Sequence, residues 1–366
     1  MTGKKNKNRK VLFVTASTQG GGAERMLFNI ISSLDCHIEK ELVITSCDTP
    51  PQNRCIDYPT VSLRKKHALS SFGAIVRHIN AFQPDYVFTT SSTIGYLLVL
   101  SKLFTSCAYK VIIRCAVSPS EIYDSGLKDR LLKQVIRLTY NWCDKIIAQT
   151  DYMKEDILKS YHVPAGKVIT IRNIINTHFL DTESAYDRPA EFTEGQYKVV
   201  AAGALYSVKG FDLLIQAMTP LIEKDKTIRL YILGEERYEA GYKKYLQDLI
   251  DKNHMENYIY LLGYKSNPYP YLKNADLFVM SSRKEGFPNV VLEALYLKTP
   301  VVASNCVDFS RVIESGVNGY IVEKGNVLSL REGINRALST TFDLDRRLLS
   351  EISDNKIYPN QNIIPT

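Results

Sequence analysis

Several features that would place the chain in a common class are scarce or missing. No run of 18 or more apolar residues occurs in the 366 residues, so no membrane-spanning helix is predicted. The apolar run after the basic start, VLFVTAS at 11–17, is too short for a signal peptide and is typical of a first strand. The seven cysteines lack zinc-ligand or redox spacing, which favours reduced thiols in a cytoplasmic protein.

Signatures of nucleic-acid binding are also missing, so nucleic acid is not expected as a partner. The net charge of +7 is unevenly placed along the chain. Residues 1–180 hold 24 Lys and Arg against 14 Asp and Glu (net +10), whereas 181–366 hold 22 against 25 (net −3). We therefore expect the first half to face an anionic partner, such as a membrane surface or a diphosphate-linked lipid.

Short apolar runs alternate with helical segments along the chain, and each run ends in polar residues. This pattern is typical of buried parallel strands in α/β domains. The predicted strands of a first series are 11–17, 41–46, 86–90, 110–115, 145–150 and 167–173. Those of a second series are 198–205, 227–234, 257–263, 276–282, 300–304 and 319–325.

The segment 181–196 is polar and acidic and has no periodicity, so we predict a linker there. The fold class predicted is α/β, with two Rossmann-like, doubly wound parallel-sheet domains facing each other across a cleft. The predicted domains are 1–180 and 197–340. One interpretation of the tail 341–366 is that it returns to the N-terminal domain.

A glycine loop, Gly20 to Gly22, lies between the first strand and a helix that begins near Ala23. Glycines at this position let backbone N–H groups approach an anionic ligand at a helix N-terminus. The third glycine of the dinucleotide fingerprint is absent, which disfavours a dehydrogenase. A tight strand–helix turn without a ligand is the alternative.

Lys209 follows the strand end at Gly203 and immediately precedes a predicted helix. A lysine beside a helix N-terminus, at the carboxyl edge of a sheet, suits a phosphate group. A solvated lysine without a ligand is the alternative.

The segment SSRKEGFPNVVLEALYLKTPVVAS carries two glutamates, Glu285 in a loop and Glu293 in the following helix. The first N–H groups of that helix, at Asn289 and Val290, can bind a diphosphate. The Glu285 carboxylate can accept hydrogen bonds from sugar hydroxyls, and Glu293 could reach ribose hydroxyls. Alternatively, Glu285 is a helix-terminal charge and Glu293 a paired buried carboxylate.

With these motifs, roughly residues 11–338 resemble the retaining glycosyltransferases of family 4, which have the GT-B fold. The specific motif is EGFPNVVLEAL, with seven residues between Glu285 and Glu293. Further similar segments are GGAE at 21–24, VKGFDLLI at 208–215, the stretch from 146 to 176, and GVNGYIV near Asn318.

The resemblance implies roles for these residues. Glu285 would hold the donor sugar, Glu293 the ribose and Lys209 the diphosphate, and Glu285 and Lys209 would be the catalytic pair. Residues that would bind or shape the donor site are Gly21, Gly22, Gly203, Gly286, Phe287, Asn289 and Val290. The donor implied by the resemblance is a nucleotide sugar, UDP-linked, with no cofactor and no metal. Retention would follow front-side attack, without a protein nucleophile.

Some positions depart from the family pattern. Ala204 stands where the family often has a phosphate-binding arginine, for which Arg283 or Lys284 could compensate. Arg114 and Cys115 stand where many members have a histidine, and Arg311 replaces a common acidic residue.

The acceptor is expected to bind the basic N-terminal half, and by resemblance it is a glycan or a lipid-diphosphate-linked bacterial oligosaccharide. Segment 127–138 is predicted as a basic amphipathic helix that contacts an anionic membrane at its inner face; an ordinary solvated helix is the alternative. The cations assigned to this role are Arg64, Lys65, Lys66, Arg114, Lys128, Arg130, Lys133 and Arg137. Competing functions are a nucleotide-sugar epimerase of the same fold and a nucleotide-sugar-binding partner without catalysis.

Overall fold

The computed structural model describes residues 9–18, 22–34, 37–46, 58–122, 127–171, 173, 175–193, 195–237 and 239–344. These residues form two compact units, of which the first extends to residue 173 and the second begins at Ile175. The predicted return of the tail 341–366 concerns residues that, beyond 344, lie outside the described ranges.

The N-terminal unit alternates strands with helices in the described residues. Its strands are β1 (Lys10–Thr15), β2 (Glu39–Ile44), β3 (Thr60–Ser62), β4 (Tyr86–Thr89), β5 (Lys110–Arg114), β6 (Lys145–Ala148) and β7 (Val168–Thr170). Its helices are α1 (Gly22–Ser33), α2 (Phe72–Phe82), α3 (Ser92–Ser101), α4 (Pro119–Ile122), α5 (Leu127–Tyr140) and α6 (Asp151–Tyr161).

The C-terminal unit repeats this alternation. Its strands are β8 (Tyr197–Ala202), β9 (Ile228–Leu233), β10 (Ile259–Gly263), β11 (Leu277–Met280), β12 (Val301–Ser304) and β13 (Gly319–Val322). Its helices are α7 (Thr177–Ser184), α8 (Phe211–Lys224), α9 (Tyr242–Lys252), α10 (Tyr269–Lys273), α11 (Asn289–Tyr296) and α12 (Val327–Leu338).

Each unit contains one parallel sheet in its described residues. The N-terminal order is β3-β2-β1-β4-β5-β6-β7 and the C-terminal order is β10-β9-β8-β11-β12-β13. In both sheets the order reverses direction beside the first strand of the unit, between β1 and β4 and between β8 and β11. The predicted doubly wound α/β fold is therefore confirmed, and each sheet has a switch point, where ligands bind at the carboxyl ends of the strands.

Both faces of each sheet are buried, which explains why the strands are continuous apolar runs. In β1, Leu12 and Val14 belong to one core cluster, whereas Val11 and Phe13 belong to the cluster on the other face. In β8, Val199 and Ala201 pack on one side and Val200 on the other. Alternate residues of a strand point to opposite faces, so each sheet carries two apolar layers.

The boundary between the units lies earlier than the predicted linker at 181–196, and α7 extends into that segment. Leu180 is buried in the C-terminal core, and so is Phe192, whose ring centroid lies 4.7 Å from that of Tyr231. Leu180 and Phe192 therefore hold the polar segment 181–196 on the C-terminal unit. The composition of the segment does not indicate this attachment.

Candidate functional site at the switch point of the C-terminal sheet

The two loops predicted to carry chemistry follow the two strands that flank the switch point of the C-terminal sheet. The Lys209 loop comes after β8, and the Glu285 loop comes after β11. These strands pair directly and in parallel, with Val200 opposite Phe278. Since parallel neighbours end at the same edge of a sheet, the topology brings together two loops that are distant in sequence.

Lys209 and Glu285 contact each other directly. The Nζ of Lys209 lies 2.5 Å from Oε1 of Glu285, and the two side chains are 19% and 13% exposed. Burial alone would lower the pKa of the lysine, but the charge and hydrogen bond of Glu285 outweigh it and raise that pKa. Lys209 is therefore a permanent cation at neutral pH, suited to binding an anion rather than to accepting a proton.

Three serines hold this pair in place. The Ser282 hydroxyl donates to Oε1 of Glu285 at 2.7 Å, and the Ser281 hydroxyl donates to the backbone oxygen of Lys209 at 3.0 Å. Ser304, at the end of the next strand, donates to the backbone oxygen of Ser282 at 2.5 Å. The serines at the carboxyl ends of β11 and β12 therefore position the ion pair through hydrogen bonds.

Gly210 permits the close approach of the two loops. Its φ is +66°, and a Cβ there would lie 2.2 Å from the backbone oxygen of Ser281. No side chain fits at that distance, so a glycine is required between Lys209 and α8.

A second ion pair joins the Glu285 loop to the start of α8. Arg283 binds the carboxylate of Asp212 with two hydrogen bonds, at 2.8 and 2.7 Å, and the Tyr242 hydroxyl donates to the same carboxylate at 2.9 Å. Arg283 also donates from Nη1 to the backbone oxygen of Ser207 at 2.5 Å and from its backbone N–H to Val208 at 2.7 Å.

We call Arg283, Asp212 and Tyr242 the loop clamp. Because both terminal nitrogens of Arg283 are engaged within it, this arginine holds the loops rather than replacing the cation expected where Ala204 stands. The hydrogen bonds and charge of Arg283 outweigh the effect of burial and lower the pKa of the Asp212 carboxyl.

The helix after the Glu285 loop begins at Asn289, directly after Phe287 and Pro288. Phe287 is buried against Phe309, with ring centroids 5.6 Å apart. The first N–H groups of a helix have no intrahelical acceptor, so the start of α11 is a place where an anion can bind. Glu293 lies one turn further along and is only 4% exposed, whereas Val290 is half-buried.

Cys306 lies beside the same cluster, within hydrogen-bonding distance of Ser304, with 3.7 Å between Oγ and Sγ. Burial raises the pKa of its thiol to about 11, and the nearby Glu285 charge acts in the same direction. The thiol is therefore protonated and a poor nucleophile at neutral pH.

The N-terminal glycine loop is described in part. Residues 19–21, which include Gly21, lie outside the described ranges, whereas Gly22 is the first residue of α1. A Cβ at Gly22 would meet nothing within 4 Å in the described structure. Packing within the described residues therefore does not require glycine at this position.

Arg114 is a correction to the predicted group of surface cations. It is 1% exposed at the end of β5, where Nη2 donates to the side-chain oxygen of Asn173. Burial lowers its pKa to about 10. A residue enclosed in this way cannot contact a membrane, and the strand pattern that buries it was visible in the sequence as the run KVIIRC.

The remaining predicted cations fall into two separate places. Arg64, Lys65 and Lys66 follow β3 at one edge of the sheet, and β3 is separated from β5 by three other strands. Arg130, Lys133 and Arg137 lie on α5, whereas the side chain of Lys128 lies outside the described part. The basic residues therefore do not form one continuous surface.

Sequence reasoning missed the residues that support the ion pair. The serines that follow β11 and end β12 had a signal, because polar residues at the ends of buried parallel strands usually face the ligand edge. Asp212 and Tyr242 had none, since they stand 71 and roughly 40 positions from Arg283 and no local pattern connects them.

No group of three or more His, Cys, Asp or Glu side chains in the described residues is arranged to hold a metal ion. None of the helices in those ranges is both long and apolar enough to cross a membrane.

Comparison with known proteins identifies the family. Residues 183–353 match the family described as Glycosyl transferases group 1, and residues 20–179 match Glycosyltransferase Family 4. A glycosyltransferase of Methanocaldococcus jannaschii is 31% identical over 240 residues, which cover 63% of this chain and 58% of that protein. The chain thus spans little more than half the length of this relative.

A relative with wider coverage is the N-acetylgalactosamine-N,N'-diacetylbacillosaminyl-diphospho-undecaprenol 4-alpha-N-acetylgalactosaminyltransferase of Campylobacter jejuni. It is 25% identical over 345 residues, 88% of each chain. Among solved structures, Anabaena HepE in complex with UDP and glucose superposes with a TM-score of 0.81 at 17% identity, over 94% of this chain and 95% of that one. Together, the two family matches, the relatives and the shared architecture show that this chain belongs to the family 4, or group 1, glycosyltransferases and has the GT-B fold.

Proposed function

We propose that the chain transfers a hexose or an N-acetylhexosamine from a nucleotide sugar, with UDP as the nucleotide, to a lipid-linked or growing bacterial surface polysaccharide. The observation that carries the donor half of this proposal is the contact of Lys209 with Glu285 at the switch point of the C-terminal sheet. It joins a fixed cation and a carboxylate at the edge where doubly wound sheets bind nucleotides.

In this proposal Lys209 binds the diphosphate of the donor. Its raised pKa keeps it charged, and it lies just before the N-terminus of α8. The start of α11 at Asn289 supplies a second favourable site for negative charge. Lysine and helix termini together offset the charge that develops on the departing nucleoside diphosphate, so we expect no metal requirement.

Glu285 holds the donor sugar through hydrogen bonds from its hydroxyls. Its Oε1 already accepts from Lys209 and Ser282, and the carboxylate has further acceptor capacity on both oxygens. We assign the ribose to Glu293, one helical turn deeper in α11. Phe287, packed on Phe309, shapes the loop that carries Glu285.

Relatives and neighbours support the substrate classes. The C. jejuni relative is named for transfer of N-acetylgalactosamine to a saccharide on diphospho-undecaprenol, and Anabaena HepE was crystallised with UDP and glucose. We therefore place the reaction at the inner face of the cell membrane, where a lipid-linked acceptor would be presented. We further propose that the anomeric configuration is retained, with the donor phosphate accepting the proton of the attacking hydroxyl.

The experiment that tests this function is a donor screen. A panel of UDP- and GDP-sugars is incubated with the protein and a bacterial membrane lipid extract, and release of the nucleoside diphosphate is measured. We expect release from at least one UDP-sugar that depends on the extract, persists in EDTA, and gives an α-linked product from an α-linked donor by NMR. Conversion of the nucleotide sugar without any acceptor would instead indicate an epimerase, and UDP binding without turnover on any donor would indicate a binding partner.

A further inference from the structure

Arg114 is an enclosed cation at the carboxyl end of β5. Its side chain is 1% exposed, and burial lowers its pKa only to about 10, so it is charged at neutral pH. In the described residues, Nη2 donates to the side-chain oxygen of Asn173, whereas Nε has no hydrogen-bond partner. The guanidinium therefore makes few of the hydrogen bonds that its five N–H groups can donate.

Arg114 also lacks a counter-charge among the described residues. No carboxylate of those residues acts on its pKa, and the titratable group that does is the thiol of Cys115. Burial raises the pKa of that thiol to about 12, so it is protonated and uncharged at neutral pH. A buried charge without a partner destabilises a fold, and an anion that binds beside Arg114 would remove this cost.

Arg114 lies at the edge of the N-terminal sheet where ligands of such folds bind. β5 pairs with β4, which flanks the switch point of this sheet, and Arg114 is the last residue of β5. Buried polar residues lie at the same edge: Thr89 ends β4, Gln149 follows β6 and Asn173 follows β7. Since doubly wound sheets bind ligands at the carboxyl ends of their strands, these polar residues favour a ligand there.

The guanidinium of Arg114 has one edge that suits a carboxylate. Nε and Nη2 lie on the same edge of the group, and a guanidinium edge can bind both oxygens of a carboxylate. Asn173 takes one of the two Nη2 hydrogens, so the Nε hydrogen and the second Nη2 hydrogen remain for a ligand. The chain after Arg114 is held in place, since Gln149 donates to the backbone oxygens of Cys115 and Ala116 at 2.8 and 2.9 Å.

We propose that Arg114 binds the carboxylate of an acidic sugar at the carboxyl edge of the N-terminal sheet. A carboxylate carries a single negative charge, which matches the single cation, whereas a phosphate monoester carries nearly two and would leave an excess charge inside. A bilayer cannot reach an enclosed side chain, but the carboxylate of one bound sugar can be enclosed together with it. Entry requires the residues around Arg114 to move aside during binding.

This inference rests on the proposed function, since it names a chemical group on one of the two sugar substrates. The carboxylate can belong to the donor sugar or to the acceptor glycan, so the test has one arm for each source. Both arms measure binding and need no turnover. Failure of this inference and failure of the proposed function are therefore separate results.

The donor arm compares UDP-glucuronate with UDP-glucose, and UDP-galacturonate with UDP-galactose, by calorimetry on the full chain. The members of each pair differ only in a carboxylate that replaces a hydroxymethyl group. If the carboxylate belongs to the donor, we expect the acidic member of one pair to bind at least about tenfold more tightly, because it gains a charge-assisted contact.

The acceptor arm uses the methyl glycosides of the same four sugars in the presence of saturating UDP, with binding followed by ligand-observed NMR. If the carboxylate belongs to the acceptor, the same preference of about tenfold or more should be found for an acidic glycoside. The acidic and neutral UDP-sugars should then bind alike in the donor arm.

Variants assign the preference to Arg114. The Arg114→Met variant removes the charge but keeps an extended side chain, so the preference for the acidic sugar should disappear, whereas Arg114→Lys should retain part of it. Arg77→Met is the matched control: Arg77 is exposed on α2 of the same unit, and its loss should leave the preference unchanged. Since Arg114 lacks a counter-charge, Arg114→Met without ligand should unfold at the same temperature as the unsubstituted protein or at a higher one.

Three results would overturn the proposal. Equal binding of acidic and neutral sugars in both arms would show that no carboxylate is recognised, and a preference that persists in Arg114→Met would place the recognition elsewhere. A lower unfolding temperature of Arg114→Met with an unchanged preference would identify Arg114 as a structural residue. If neither UDP nor any UDP-sugar binds, the donor half of the proposed function fails as well, whereas equal binding of neutral and acidic sugars rejects this inference alone.

Discussion

The ammonium of Lys209 lies 2.5 Å from the carboxylate of Glu285, although the two residues are 76 positions apart. They meet because β8 and β11 are neighbours at the switch point of the sheet and end at the same edge. In the proposed function these residues hold different parts of one donor. The diphosphate must therefore share the Lys209 ammonium with Glu285 or displace Glu285 from it. The charge of the Glu285 carboxylate should then influence the affinity for the nucleotide.

Replacing Lys209 tests its assignment to the diphosphate. In the Lys209→Met variant, calorimetry should show a UDP dissociation constant about 10 to 100 times higher, because one charge-assisted contact is lost. Lys198→Met is the matched control: Lys198 also pairs with a carboxylate, Asp276, and joins the same two strands, but at their amino ends. Equal weakening by the two variants would show that general destabilisation, rather than phosphate binding, explains the effect.

Replacing Gly210 tests whether the approach of the loops matters. The Gly210→Ala variant places a methyl group 2.2 Å from the backbone oxygen of Ser281 and keeps φ at +66°, so we expect a loss of about 1–3 kcal/mol in unfolding free energy. Gly241→Ala is the control, since its φ is +85° but a Cβ there meets nothing within 4 Å. Urea unfolding should show the larger loss for Gly210, and UDP affinity should fall for that variant alone. Equal effects of the two substitutions would mean that the backbone conformation, and not the clash, is limiting.

The loop clamp should contribute to stability in a pH-dependent way. Burial raises the pKa of Asp212, but the hydrogen bonds from Arg283 and Tyr242 outweigh it, so the folded-state pKa lies below the ordinary 3.8. Such a carboxylate stabilises the folded protein above its ordinary pKa, and this contribution disappears as the pH falls through the folded-state pKa.

We therefore expect Asp212→Asn to lower the unfolding free energy by about 1–2 kcal/mol at neutral pH and by less at about pH 3. This expected loss of unfolding free energy is smaller than that for a fully buried ion pair, because the Arg283 side chain is 36% exposed. Urea titrations of both proteins at the two pH values measure it. A deficit that stays constant with pH would show that the charge of Asp212 is not the cause.

Cys306 provides a chemical test of the environment beside the ion pair. Because burial raises its pKa from the ordinary 9.0 to about 11, its thiolate fraction near neutral pH is about a hundredfold lower than that of an unperturbed cysteine. Alkylation of Cys306 by iodoacetamide, followed by peptide mass spectrometry, should be slower by about that factor at pH 8 and should accelerate towards pH 11. Fast alkylation at neutral pH would contradict the described burial.

Much of the fold follows from local patterns in the sequence. The apolar runs at 276–282 and 300–304 became β11 and β12, because fully buried parallel strands need continuous apolar residues. By contrast, β3 at Thr60–Ser62 was not predicted, since this edge strand is three residues long and only half-buried. The predicted linker 181–196 differs from the division between the units for a related reason: Phe192 is the one residue of this segment in the described C-terminal core cluster, and a single anchor leaves no periodic signal.

The site was predictable as far as it depends on motifs. EGFPNVVLEAL and VKGFDLLI identified Glu285 and Lys209 as residues of interest, and the sheet order explains why they meet. Their direct contact, and the clamp of Arg283 by Asp212 and Tyr242, depend on which strands become neighbours. That is a property of the whole sheet, so no local pattern in the sequence contains it.

The central claim is that the pocket at Glu285 binds the activated sugar. Its most direct test measures both the turnover and the UDP affinity of the Glu285→Gln variant. Glu285 is assigned to the sugar, so the rate of UDP release from the preferred donor should fall by about 100-fold or more. Since Lys209 loses its paired carboxylate, calorimetry should show UDP binding as tight as in the unsubstituted protein or tighter. The thermal unfolding midpoint should fall, because the buried ammonium loses its partner, while circular dichroism should show an intact fold. Turnover that is unchanged in the Glu285→Gln variant would contradict the assignment of this pocket to the activated sugar.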